Sequence, residues 1–175
     1  MVSEYPISPS GFTCTASSGE NSCENVYTES DNGWVTDGNG VDSWIKIEFQ
    51  ELFRISKIIY RHNDRLPNKC CNQNFKDISF RFSDGTIANV TLDDLIGKET
   101  NVDFHYRINA PIISSHLLVT VNSVYTQPYK PERLVDGFLR EAQYDQNRFG
   151  ISTIRILGNI ETGKKREASK IWSEL

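Results

Sequence analysis

The stretch that decides the fold class is Trp44-Ile45-Lys46-Ile47-Glu48-Phe49, in which apolar and polar residues alternate. The two isoleucines and the phenylalanine would face one side of an extended chain, and the lysine and glutamate would face the other. This alternation is typical of an antiparallel strand with one buried and one solvated face. The stretch is therefore predicted to be a half-buried strand.

The same alternation recurs along the chain, and two further stretches are rich in β-branched residues. Strands are expected at residues 45–50, 54–61, 78–82, 86–92, 117–121 and 154–156. Ser83-Asp84-Gly85-Thr86 predicts a turn, because Asp and Gly tolerate turn dihedrals. Helix is expected only as a short turn at 92–97 and as a terminal segment at 167–175. These patterns indicate an all-β sandwich or barrel.

Length and composition bound the domain organisation and the partners. The 175 residues, 38% of them hydrophobic, suit one packed domain. We predict an N-terminal extension at 1–9, a single domain at 10–160 and a charged tail or linker at 161–175. A net charge of −4 argues against nucleic-acid binding. No stretch approaches the roughly 18 consecutive apolar residues that a membrane span needs.

Four cysteines bear on the cellular compartment: Cys14, Cys23, Cys70 and Cys71. They allow three pairings, and a bond between the adjacent pair would strain the peptide that joins them. We expect the chain to use a disulfide, which indicates an oxidising compartment, whereas free thiols would indicate a reducing one. The first nine residues lack the basic and apolar regions of a signal peptide. We expect an extracellular or cell-surface location, with an intracellular one as the alternative.

Two long connections are candidates for the ligand-binding end of the domain. Residues 62–75 and residues 125–148 show no periodicity between the predicted strands. Connections of this length in compact domains are usually functional or mobile. We therefore expect the ligand to bind where these connections lie.

The order of five motifs adds a family resemblance. The motifs are Gly33-Trp34-Val35-Thr36-Asp37-Gly38, the strand at 44–49, Ile58-Ile59-Tyr60, the stretch from Lys76 to Gly85 and the stretch from Phe149 to Gly158. Together they resemble discoidin domains, also called coagulation-factor C-type or galactose-binding-like domains. The resemblance implies a discoidin-like jelly-roll β-sandwich of about eight antiparallel strands, which binds a ligand and is not an enzyme.

Within that superfamily, residues 60–65 (Tyr-Arg-His-Asn-Asp-Arg) followed by Cys70-Cys71 are similar to the sugar loop of fucose-binding F-type lectins. In those lectins arginines bind sugar hydroxyls, and an adjacent-cysteine disulfide packs on the apolar face of the sugar. Here the cysteines lie six residues after Asp64 rather than beside it. Charged donors, polar acceptors and a flat apolar platform suit a pyranose. Trp34 follows Gly33 in a predicted turn, so we expect its ring to be exposed. The predicted ligand-binding residues are Trp34, Arg61, His62, Asp64, Arg65, Lys69, Cys70, Cys71 and Asn72.

Neither an active site nor a metal centre is predicted. His62, His105 and His116 are scattered in the sequence, and the chain contains no Gly-x-Ser-x-Gly elbow and no glycine-rich phosphate loop. We therefore predict no catalytic residues, no metal ligands and no cofactor. A structural calcium ion held by backbone carbonyls at residues 25–37 is the alternative.

The sequence thus predicts a carbohydrate-binding, lectin-like module whose partner is a glycan or glycoprotein. The alternative is a protein–protein interaction module within a larger multidomain protein or complex. Binding to a membrane surface ranks below both, because the candidate loops are polar and the net charge is negative.

Overall fold

The computed structural model describes residues 6–28, 30, 32–36, 40–63, 74–95, 102–125, 130–135, 138–142 and 149–161. Within these residues lie two short 3₁₀ helices, Pro9–Gly11 and Glu20–Val26, and nine strands. The strands are β1 (Thr13–Ala16), β2 (Trp34–Val35), β3 (Trp44–His62), β4 (Phe75–Phe82), β5 (Ile87–Thr91), β6 (Asp103–Val124), β7 (Lys130–Val135), β8 (Phe138–Ala142) and β9 (Gly150–Ile160).

Two long strands, β3 and β6, organise the main sheet. They pair antiparallel, and their register shifts twice, between Ile55 and Lys57 and, at the point where β3 changes its other neighbour, between Glu48 and Phe53. In its first segment, before the shift that follows Glu48, β3 lies between β1 and β6, and β6 pairs onward with β4, which pairs with β5. After the shift, β3 lies between β6 and β9, and β9 pairs with β2. The sheet therefore folds over at the shift into two layers, which confirms the predicted all-β jelly-roll sandwich.

Alternating residues of both layers point inward and form one core. Ile45 and Ile47 are fully buried in the first segment of β3, as the alternation predicts, and Ile58 is fully buried in the second. Across the layers, the Phe80 and Tyr106 rings lie 5.6 Å apart between centroids. Each such buried apolar side chain stabilises the fold by about 1.5–3 kcal/mol. The sandwich is thus held by the residues that carry the period-two pattern.

Two connectivity predictions are corrected by the structure. Residues 45–50 and 54–61 belong to one strand, β3, because the register shift lets the strand bend without ending. The connection 125–148 is not wholly irregular, since it contains the β7–β8 hairpin, in which Val135 pairs with Phe138. The dipeptide between those residues is Asp136-Gly137, which favours tight hairpin turns.

The predicted turn at 83–86 is confirmed, whereas helix is not found at residues 92–95. In the turn, the Phe82 N–H donates to the Thr86 carbonyl at 3.0 Å, and Gly85 has a φ of 91°. The Thr86 N–H also donates to Asp84 Oδ1 at 2.8 Å. The segment 167–175 lies outside the described residues. In the part of the chain that the structure describes, no helix is long and apolar enough to cross a membrane.

A disulfide joins Cys14 of β1 to Cys23 of the second 3₁₀ helix. The prediction that the chain uses a disulfide is confirmed for this pair. Cys70 and Cys71 lie outside the described residues.

Candidate functional site

Several connections meet at one end of the sandwich, which we call the loop end. In one layer β3 ends at His62, beside the starts of β6 and β9. In the other layer β4 begins at Phe75, beside the end of β6. The connections 62–75 and 91–103 therefore leave from the same end. We call the opposite end, where β3 folds over between Glu48 and Phe53, the bend end.

Asn63 fixes the start of the 62–75 connection. Its side chain is buried; Nδ2 donates to the Asn32 carbonyl at 3.1 Å, and its N–H donates to the Gly150 carbonyl at 3.1 Å. Gly33 leaves room for this amide. Its φ is +60°, and a Cβ there would lie 2.6 Å from the Ile151 carbonyl oxygen and 2.9 Å from Asn63 Nδ2. Asn63 thus ties the connection to the corner where β2 meets β9.

His62 ties the same connection to the 91–103 connection. Its buried ring packs edge-on against Tyr60 and Phe104, at centroid distances of 5.3 and 5.2 Å. Nε2 lies 3.1 Å from the Asp93 carbonyl oxygen; since that oxygen only accepts, Nε2 carries the hydrogen. Nδ1 is left unprotonated and, within the described residues, without a hydrogen-bond partner. Burial lowers the pKa of His62 to about 4 against the attraction of Asp93 and Asp94, so the ring is neutral at pH 7.

Asn74 fixes the far end of the 62–75 connection. It is fully buried; the side-chain Nδ2 donates to Asp94 Oδ1 at 3.2 Å, and the backbone carbonyl of Asn74 accepts the Tyr125 N–H at 3.0 Å. The Tyr125 hydroxyl donates to the Leu92 carbonyl at 2.7 Å, and the Lys76 ammonium lies 5.7 Å from the centre of the Tyr125 ring. Burial and nearby aspartates raise the pKa of Tyr125, which keeps this donor protonated. Both ends of the connection are therefore anchored by buried amides.

The rim of the loop end carries charge that is only partly exposed. Arg61 Nε lies 2.7 Å from Asp103 Oδ1, with side-chain exposures of 27% and 30%. The start of the 91–103 connection is fixed at the same end, because His62 bonds to the Asp93 carbonyl and Asn74 bonds to the Asp94 carboxylate. A guanidinium and carboxylates on a fixed frame can donate to and accept from the hydroxyls of a polyhydroxylated ligand.

The structure describes three of the nine predicted site residues, and only Arg61 lies at the rim. The expected exposure of Trp34 is wrong: its indole is fully buried, donates from Nε1 to the Ser18 carbonyl at 2.9 Å and lies 6.3 Å from the Phe75 ring. Pairing of β2 with β9 turns this ring into the core. His62 is buried as well and acts as an anchor. Asp64, Arg65, Lys69, Cys70, Cys71 and Asn72 lie outside the described residues.

Three residues of the loop end, Asp103, Asn63 and Asn74, were not predicted from the sequence. Asp103 begins β6, whose first half went unrecognised although Phe104, Tyr106 and Ile108 alternate in the manner of a strand. That alternation would have located the Arg61 partner. Asn63 and Asn74 carry no comparable signal, because an asparagine beside a connection is as typical of an exposed turn.

The alternative calcium site spans residues 25–37, which the structure describes in part. Its acidic residues, Glu29, Asp31 and Asp37, lie outside the described residues. Among the residues that are described, no three His, Cys, Asp or Glu side chains come together as metal ligands would.

Comparison with known proteins rests on structure alone. No protein-family model matches the chain, and no curated protein matches its sequence. A family 32 carbohydrate-binding module of NanJ from Clostridium perfringens, in complex with galactose, matches 90% of this chain and 99% of its own, at a TM-score of 0.57 and 12% identity. The F5/8 type C domain of a Bacteroides fragilis protein matches 90% and 98%, at 0.54 and 8%.

A third match is CpGH89CBM32-5 from C. perfringens, in complex with GalNAc-β-1,3-galactose. It matches 87% of this chain and 99% of its own, at a TM-score of 0.54 and 11% identity. The chain has a discoidin-like fold. Each of the three structures is covered almost completely by its match to this chain. The resemblance to discoidin domains that the motifs predict is therefore confirmed at the level of the fold.

Proposed function

We propose that this discoidin-like domain is a non-catalytic glycan-binding module, and that it holds the sugar at the loop end. The observation that carries the proposal is the buried frame there, in which His62, Asn63 and Asn74 tie three connections together. A rigid frame that presents irregular polar loops is what a preorganised binding site needs.

The rim groups suit a neutral sugar. The Arg61 guanidinium donates hydrogen bonds, and the Asp103 and Asp94 carboxylates accept them. The Tyr125 ring, with its hydroxyl held on Leu92, offers a flat face to the C–H groups of a pyranose. Between the two anchors, the residues 64–72 predicted from sequence add Asp64, Arg65, Lys69, Cys70, Cys71 and Asn72 to the proposed contacts.

Two of the similar structures support the choice of sugar, because they hold galactose and GalNAc-β-1,3-galactose. We therefore infer a glycan that ends in galactose or N-acetylgalactosamine, carried by a glycan or glycoprotein partner. The Cys14–Cys23 disulfide supports an extracellular or cell-surface location. No cofactor takes part, and a calcium ion at residues 25–37 would be structural.

A glycan array with the labelled chain tests the proposal, run with and without reductant and with and without calcium. We expect selective binding to galactose- or N-acetylgalactosamine-terminated glycans. Arg65→Ala should abolish binding with little change in the unfolding midpoint, whereas Arg81→Ala, an exposed arginine of β4, should leave binding intact. A blank array in all four conditions would refute glycan binding and direct the search to a protein partner by pull-down.

A further inference from the structure

A groove lies at the bend end, away from the loop end. It has a volume of about 670 Å³ and opens between residues 6–12, the bend of β3 and the end of β9. This volume lies within the roughly 300–1,000 Å³ that is typical of small-molecule sites. The groove lies among residues that the structure describes, and the proposed loop-end site uses none of them.

The walls of the groove are fixed by contacts on both sides. The Ile7 N–H donates to the Ile156 carbonyl at 2.8 Å, which holds the N-terminal segment on β9. The Phe12 ring packs against Phe49 at a centroid distance of 5.0 Å and against Tyr27 at 5.5 Å. On the other wall, the Glu161 N–H donates to the carbonyl of Leu52 at 2.8 Å. A groove held in this way is preformed, so a ligand loses little binding energy to ordering it.

The floor of the groove is apolar and partly accessible. Phe12 is half-buried, Phe53 is nearly buried, and their ring centroids lie 6.2 Å apart. Ile160, at the end of β9, leaves 51% of its surface exposed beside them, the highest exposure among the large apolar side chains in the described residues. The apolar face of a small ring would cover this surface, which otherwise faces water.

The rim of the groove is polar and carries one kind of charge. Ser8, Ser10 and Gln50 line it, and Glu51 is the charged side chain among the described lining residues. Because the described lining residues include a carboxylate and no cation, they do not favour a phosphate, sulfate or carboxylate ligand. Serine hydroxyls and a carboxylate match vicinal hydroxyls, each of which both donates and accepts.

We propose that this bend-end groove is a second saccharide site, which binds a neutral pyranose. The C–H face of the sugar packs on Phe12 and Ile160, and its hydroxyls bind the Glu51 carboxylate and the serines of the rim. The proposal goes beyond the proposed function, because it holds whether or not the loop end binds a glycan. It makes the domain bivalent, with one sugar site at each end of the sandwich.

Titration of the ¹⁵N-labelled chain, followed by amide chemical shifts, tests the groove directly. The probes are D-galactose, N-acetyl-D-galactosamine, D-glucose and D-mannose. We expect at least one of them to give saturable shifts, in the millimolar range, at the amides of residues 7–12, 50–53 and 158–160. Glu51→Ala should weaken this binding by about ten-fold or more, whereas Glu48→Ala, an exposed glutamate of the same strand outside the groove, should not.

The position of the shifts separates this proposal from the loop-end proposal. Groove shifts that persist in Arg65→Ala establish an independent site. Shifts confined to residues 61–63, 74–76 and 92–95 would support the loop end and refute the groove. The groove proposal also fails if no probe gives saturable shifts at its amides, or if Glu51→Ala binds as well as the unmodified chain.

Discussion

The two ends of the sandwich are held together by different kinds of interaction. At the loop end, buried polar side chains bond to backbone carbonyls: His62 to Asp93, Asn63 to Asn32, and the Trp34 indole to Ser18. At the bend end, aromatic rings pack on one another, with Phe49 and Phe53 at a centroid distance of 5.3 Å and Phe12 against both.

The hydrogen bonds of the loop end control the direction of its connections, and the aromatic contacts of the bend end do not. A hydrogen bond fixes the direction of a connection, but a buried polar group that loses its partner is costly. Aromatic packing stabilises without comparable directionality. We therefore expect the loop end to respond strongly to substitution and to pH, and the bend end to respond mainly to loss of apolar volume.

Trp34→Ala should produce the largest effect. Removing a fully buried indole leaves a cavity and an unpaired Ser18 carbonyl, so we expect a loss of about 3–5 kcal/mol in the free energy of unfolding. Urea denaturation measures the loss, and Phe53→Ala is the matched substitution at the bend end. A Trp34→Ala chain that keeps its stability but loses glycan binding would show that Trp34 contacts the ligand and does not stabilise the loop end.

Acid should weaken the loop end through His62. The pKa is about 4 in the folded chain and about 6.5 in the unfolded chain, so the unfolded state binds more protons between these values. The contribution of His62 to the free energy of unfolding is therefore fully present well above pH 6.5, and about 3 kcal/mol of it is lost as the pH drops towards 4. Thermal unfolding of the unmodified chain and of His62→Gln across this pH interval measures the His62 contribution to the pH dependence of stability.

The control for the pH prediction is His116 of β6, whose pKa burial also lowers but which pairs with Glu48 beside the bend end. His116→Gln should remove a smaller part of the pH dependence than His62→Gln does. Equal pH profiles for the unmodified chain and His62→Gln would show that the buried imidazole does not couple the two connections.

The fold was predictable from sequence to a greater extent than the site. The alternation at 44–49 survives in the structure because one buried face requires it, and five ordered motifs pointed to the discoidin-like sandwich. Trp34 was placed on the surface because a turn glycine precedes it, and no local pattern states that β2 pairs with the distant β9. The ion pair of Arg61 joins residues 42 positions apart, a distance that only the pairing of β3 with β6 spans.

Loss of the Cys14–Cys23 disulfide should affect both ends. In the 3₁₀ helix that holds Cys23, Asn25 Nδ2 donates to the Gly33 carbonyl of the loop end at 3.0 Å. Tyr27, the residue after the helix, packs on Phe12 of the bend end. Closing a loop with a sequence separation of 9 is worth about 2–3 kcal/mol. Urea denaturation of the double serine variant measures the loss, and amide hydrogen exchange should show faster opening at both ends. Faster exchange at one end alone would show that the helix does not link them.

The smallest change in stability is expected from two similar ion pairs, one at each end. Arg61 Nε lies 2.7 Å from Asp103, and Arg54 Nε lies 2.9 Å from Glu161 at the bend end. Both pairs are partly exposed, and solvent screens such pairs, so Arg61→Gln and Arg54→Gln should each shift the unfolding midpoint only slightly. The two variants should differ in galactose affinity, which isothermal titration measures.

Arg61→Gln should lower the galactose affinity by about ten-fold or more, because a charge-assisted donor at the loop-end rim is lost. Arg54→Gln should bind like the unmodified chain, since it faces the other end. Equal affinity in both variants would mean that the Arg61 guanidinium serves only to hold Asp103 at the start of β6. The sugar contacts would then have to come from the residues between Asn63 and Asn74, and the role of the buried frame would be to position that connection rather than the rim.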